Sequence, residues 1–224
     1  MKIKRSHLLI SILMITSVVI STAVCAQDVK EEDIEALIKK PTLTLKEQEL
    51  LAKALFEKMY NADESELEVF EVNYKIVIEK CPDTVQAHHA VHRLTNMYTL
   101  AYDEPRYEDI ITVLEPFLKR TKTSEVLSMV KYPDEHLVFS PIAKLHQSYE
   151  QLGKFDKIAE YYDGIAKKDP DLGAYDCFDY ANALDESKRI KDAINWYEIF
   201  LKKSEGTDMD FMREIVQDRL KEIK

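Results

Sequence analysis

Phe139–Leu172 reads FSPIAKLHQSYEQLGKFDKIAEYYDGIAKKDPDL, and the architecture follows from it. Its apolar residues fall in two runs on either side of Leu152-Gly153-Lys154. Ile142, Leu145, Tyr149 and Leu152 make the first, and Phe155, Ile158, Tyr162 and Ile165 the second. Steps of three and four residues put each run on one face of an α-helix. Neither run alternates as a half-buried strand would. Gly153 sits in the break, and Pro170 closes the second run because proline cannot continue a helix. Two helices joined by so short a break pack as antiparallel neighbours.

The same pattern extends in both directions. Upstream, Thr44 to Asn61 carries Leu50, Leu51, Ala54, Leu55, Met59 and Tyr60 on one face. Glu66 to Lys80 carries Leu67, Phe70, Tyr74, Val77 and Ile78; Thr84 to Tyr102 and Tyr107 to Leu118 follow. Downstream come Tyr175 to Leu184 and Ile190 to Leu201. Met209, Met212, Val216, Leu220 and Ile223 form a last stripe, opposite Asp210, Arg213, Asp218 and Lys221. Pro-Asp recurs at 82–83, 133–134 and 170–171. There proline stops one helix, and the aspartate is expected to cap the next by accepting a bond from its free N–H groups. A stop–start device recurring at this interval marks a repeat array.

The 139–172 unit resembles a tetratricopeptide repeat, a helix pair of about 34 residues. Leu145 and Tyr149 match its first-helix leucine and tyrosine, Gly153 its turn glycine, Phe155 and Tyr162 its second-helix aromatics, and Pro170 its closing proline. His146, Ile158 and Ile165 depart from its small-residue positions. A second unit follows through Cys177, Tyr180, Ala181 and Leu184 to Ala193, Trp196 and Tyr197, with Ser204-Glu205-Gly206 in place of the proline. Degenerate units precede these. The resemblance implies an all-α, right-handed α-solenoid of antiparallel helix pairs with a C-terminal capping helix. Its divisions are 27–43 as an N-terminal segment, 44–138 as degenerate repeats with an insertion near 119–132, 139–205 as two clearer repeats, and 206–224 as the cap.

Composition bounds the function. The chain has 224 residues, 41 acids against 31 Lys and Arg, and a net charge of −10. Lys2, Lys4 and Arg5, the apolar run Leu8 to Val19, and Val24-Cys25-Ala26 read as a signal peptide over 1–26, cut after Ala26. A periplasmic or secreted protein is expected. Losing three cations and no acid takes the net charge to −13, which repels phosphate backbones and argues against nucleic acid. Cys81 and Cys177 remain; they are expected as unbridged packing residues.

No catalytic constellation emerges. There is no G-x-S-x-G elbow, no C-x-x-C and no glycine-rich phosphate loop. The acid pairs, such as Asp63-Glu64 and Asp185-Glu186, read as solvated faces and first turns that complement helix dipoles. His88 and His92 stand four apart, beside His89, as two metal ligands would, but no third ligand follows at fixed spacing. Core packing and solvation are the expected roles.

The expectation is therefore a non-enzymatic scaffold, with no cofactor, binding a basic or neutral protein or peptide. The resemblance implies that binding falls on the concave face, assigned to Tyr175, Phe178, Asp179, Asn182, Lys144 and Gln147, with Tyr175 and Phe178 as apolar anchors. Ala143, Gln147 and Asp179 occupy that face where family members that clamp a C-terminal carboxylate place cations and amides, so that ligand is not expected. Two alternatives stand beside this. One is an envelope-assembly factor of a membrane-associated complex; the other is a metal-binding protein using His88, His89 and His92.

Overall fold

Helix starts follow local chemistry. Thr44 accepts a bond from the Glu47 N–H, and the Glu47 carboxylate accepts one in return from the Thr44 N–H, a reciprocal capping box. Thr84 likewise accepts from the Ala87 N–H, and Ser140 from the Ala143 N–H. These caps satisfy N–H groups that the first helical turn leaves unpaired. The computed structural model describes residues 30–63, 66–120 and 140–224. Among them it contains ten α-helices and no strand: α1 (Glu31–Lys39), α2 (Leu45–Tyr60), α3 (Leu67–Lys80), α4 (Val85–Leu100), α5 (Tyr107–Arg120), α6 (Pro141–Gln151), α7 (Phe155–Ala166), α8 (Ala174–Glu186), α9 (Ile190–Lys203) and α10 (Asp210–Ile223). The leader expected at 1–26 and most of the insertion expected at 119–132 lie outside the described residues. No described helix is long and apolar enough to cross a membrane.

The chain divides into two compact units, Met1–Ser148 and Tyr149–Lys224. In the first, α1 to α5 each pack on the next, and α2 also meets α4. Leu51 and Leu55 of α2, Val77 of α3, Val91, Leu94 and Tyr98 of α4, and Ile110 and Leu114 of α5 are fully buried. Burying side chains of this size stabilises by about 1.5–3 kcal/mol each. Gln48 of α2 donates to the Asp83 carboxylate at 3.0 Å and accepts from the Asp83 N–H at 3.1 Å. Asp83 is thereby taken up by α2, and the cap of α4 falls on Thr84 instead.

In the second unit α7, α8, α9 and α10 pack in sequence. Cys177, Ala181 and Leu184 of α8, Phe200 of α9 and Val216 of α10 form its buried centre. The Pro-Asp expectation at 170–171 is also corrected: Gly173 precedes α8, and Asp171 instead pairs with Lys203. Arg219 of α10 grips the buried Asp185 of α8 through two bonds, at 2.7 and 2.9 Å. The outer side of α10 is less polar than expected, because Phe211 and Ile215 stand exposed on it.

Each unit contains the same polar clamp. In the first, Arg106, just ahead of α5, bonds Glu71 of α3 and Asp109 of α5, while Tyr98 of α4 and Tyr102 just beyond it donate to Glu71. In the second, Arg189, just ahead of α9, bonds Asp163 of α7 and Asp192 of α9, while Tyr180 of α8 donates to Asp163. One arginine thus ties three consecutive helices. Burial pushes the Glu71 carboxyl up, but Lys75, Tyr102, Tyr98 and Arg106 outweigh it and hold it at about 2.

Candidate functional site

α8 has two unlike sides because residues three and four apart share a helix face. Cys177, Tyr180, Ala181 and Leu184 point into the unit and are buried. Tyr175, Phe178, Asp179, Asn182 and Glu186 share the other side. Tyr175 is 60% exposed. Phe178 is half-buried, its ring 5.4 Å from that of Phe200 on α9. Asn182 accepts from the Tyr197 hydroxyl at 2.8 Å. Tyr175 and Asp179 are therefore open to a partner, whereas Phe178 and Asn182 also brace α8 against α9.

Asp179 keeps solvent-accessible surface yet sits among crowding neighbours. Burial by those neighbours, then the negative charges of Glu150 and Asp176, push its carboxyl up to about 6, against a bond from Tyr162 that favours the ionised form. Burial raises Glu150 as well. Among the described residues no Lys or Arg forms an ion pair with Asp176, Asp179 or Glu150. The side of α8 beside Tyr175 thus carries negative charge that its own unit does not neutralise. Lys144 and Gln147, expected on the same surface, stand on α6 within the first unit. Lys144 is half-buried and Gln147 exposed.

The histidines of α4 do not act as one group. His88 is 2% exposed, with its ring edge-on to Phe117 at 5.0 Å and its Nε2 without a hydrogen-bond partner among the described residues. His89 and His92 are half-buried, and Asn96 Nδ2 lies 2.8 Å from His92 Nε2. If the amide donates, the imidazole accepts there and holds its proton on Nδ1. Burial first, then the positive charges of Arg93, His89 and Lys144, push His92 down to about 4. Among the described residues no three His, Cys, Asp or Glu side chains are placed to hold a metal ion. Cys81 and Cys177 are free and buried, and burial pushes the Cys81 thiol up to about 12, which keeps it protonated at neutral pH.

Sequence reasoning missed the clamps, although their trace is there. Arg106-Tyr107-Glu108-Asp109 and Arg189-Ile190-Lys191-Asp192 both open a helix with arginine followed three residues later by aspartate. The acid that each arginine also grips comes from an earlier helix, at no fixed distance along the chain. No family model, no curated protein and no solved structure matches this chain.

Proposed function

We propose that the chain is a helical-repeat scaffold of tetratricopeptide type that binds a polypeptide segment carrying a basic side chain on the Tyr175 face of α8. Two recurrences support the repeat. Gly153 and Lys188 both adopt a left-handed backbone, with φ of 67° and 65°. After each, the next N–H bonds a carbonyl five residues back, Lys154 to Tyr149 and Arg189 to Leu184, both at 2.8 Å. Each then enters a helix one residue later. Lys188 thus takes the turn position that Gly153 holds in the preceding pair. The clamps at Arg106 and Arg189 are the second recurrence.

The observation that carries the binding reading is the 60% exposed ring of Tyr175 beside carboxylates that form no ion pair among the described residues. A tyrosine ring offers apolar area and a π-face to a cation, and the acids supply charge complementarity. An array of matched basic, neutral and acidic peptides tests it. Basic peptides should be retained, and Tyr175→Ala should weaken them about tenfold or more, about 1.4 kcal/mol. Asp179→Asn should reduce the salt dependence. Equal retention of all three peptide classes, or retention indifferent to Tyr175→Ala, would overturn the reading.

A further inference from the structure

A helix whose outer side meets only water carries a polar stripe there, and α10 does not. Phe211, Glu214, Ile215, Asp218 and Glu222 follow one another at i, i+3, i+4, i+7 and i+11, so they share one side of the helix, and all five are exposed. Val216 and Leu220 lie opposite and are buried. By that inner side α10 packs on α9, and Arg219 ties it to Asp185 of α8. On the outer side Phe211 stands 75% exposed and Ile215 44% exposed, one turn apart. Among the described helices α10 alone presents two large apolar side chains to solvent at that spacing.

The charges around the pair decide what can cover it. Glu214, Asp218 and Glu222 run beside Phe211 and Ile215, and no cation shares their line. Glu214 forms no ion pair among the described residues. Asp218 pairs with Lys221 and Glu222 with Arg219 from the flanks, but both carboxylates are exposed, and such pairs add little and exchange readily for another cation. A purely apolar cover would take three carboxylates out of water without compensation. A second copy of this chain would set them against their own counterparts, in a protein with 41 acids to 31 Lys and Arg. A cover with cations beside its apolar residues meets both needs. Two apolar side chains four apart form a ridge, and such a ridge packs between the side chains of another helix.

We propose that the outer side of α10 docks an amphipathic helix of another protein, one whose apolar stripe is bordered by lysine or arginine. Phe211 and Ile215 are the apolar anchors, and the aromatic ring carries the larger share of the affinity. Glu214, Asp218 and Glu222 meet the cations at the border, which acts on association rate and orientation more than on affinity. This goes beyond the Tyr175 reading, since it concerns a different helix and an occupant recognised by its helical stripe. Either site can fail while the other stands.

The test uses the full chain and fluorescence anisotropy with labelled peptides of equal length. One is an amphipathic helix bordered by lysine, one has the same composition scrambled so that the stripe is lost, and one has the same stripe bordered by glutamate. Only the first should bind saturably, and it should gain helical circular dichroism on binding. Phe211→Ser and Ile215→Ser should each weaken it about tenfold. Because both side chains are exposed, neither change should lower the melting point. Glu214→Gln should flatten the salt dependence. Tyr175→Ala should leave this binding intact, which separates the two sites. Equal binding of the scrambled or the glutamate-bordered peptide, or binding indifferent to both serine variants, would overturn the proposal. So would a dimer in sedimentation velocity that Phe211→Ser dissolves, because the occupant would then be a second copy of the chain.

Discussion

Lys188 adopts φ 65°, a region in which a side chain other than glycine costs about 1–2 kcal/mol. Gly153 serves the same turn one repeat earlier at φ 67°, and a Cβ added there would meet no atom within 4 Å. The two positions therefore test backbone conformation without a packing change. Lys188→Gly should raise stability by up to about 1 kcal/mol, the left-handed penalty removed less the extra freedom glycine has when unfolded. Gly153→Ala should lower it by about 1–2 kcal/mol. Urea midpoints at unchanged slope would show both, and a destabilised Lys188→Gly would mean that the lysine side chain makes up the difference. The turn at 153 was legible because glycine announces a left-handed residue. The turn at 188 was hidden because lysine does not, and only the bonds around it disclose the shared geometry.

Among elements, the stripes of long helices were legible where burial was their only cause. Leu51, Ala54, Leu55 and Met59 of α2, and Val77 and Ile78 of α3, are buried as their spacing requires. α1 was not legible: it has nine residues, and of these only Leu37 is buried. The aspartate caps expected at 83 and 171 failed for a tertiary reason, since Gln48 and Lys203 claim those residues from distant helices, while the one expected at 134 lies outside the described residues. For the binding face, spacing foretold which residues share a side of α8, but not that Phe178 and Asn182 are partly engaged with α9. The fixing of α10 shows the energetics of such distant pairs. Asp185 is 5% exposed, whereas Arg219 reaches it from a more open position. The arginine holds the Asp185 carboxyl below its usual range. Arg219→Ala should strand that buried carboxylate and lower stability, by less than breaking a fully buried pair would because Arg219 keeps water. Asp185→Asn should cost less, because the freed guanidinium can turn to solvent. Denaturant midpoints would rank the two, with amide exchange of α10 accelerating in Arg219→Ala. The reverse ranking would place the grip elsewhere.

Across the whole molecule, the titratable groups are divided between the units so that acid should act on them with opposite sign. All four histidines among the described residues, His88, His89, His92 and His146, belong to the first unit, and burial lowers every one. His92 and His146 are held at about 4. An imidazole that stays neutral when folded but takes a proton when unfolded makes the unfolded chain the stronger proton binder. First-unit stability is then full above the ordinary histidine value of about 6.5 and falls as pH drops from there through about 4. With the water that still reaches their rings screening part of the effect, each of these two histidines removes about 2 kcal/mol across that window. In the second unit the sign reverses at Asp179, held at about 6. Its folded form takes up a proton before the unfolded form does, so that unit gains stability as pH falls from about 6 toward the ordinary aspartate range. Only below that range do Asp163 and Asp185, both lowered by their arginines, begin to cost the second unit stability. Trp196, the single tryptophan, packs 4.9 Å from Tyr180 and reports on the second unit. Between pH 6.5 and 4, amide protection in α4 should therefore fall while Trp196 emission holds steady. Should Trp196 emission shift before α4 loses protection, the histidines of the first unit would not be what sets the acid limit of this protein.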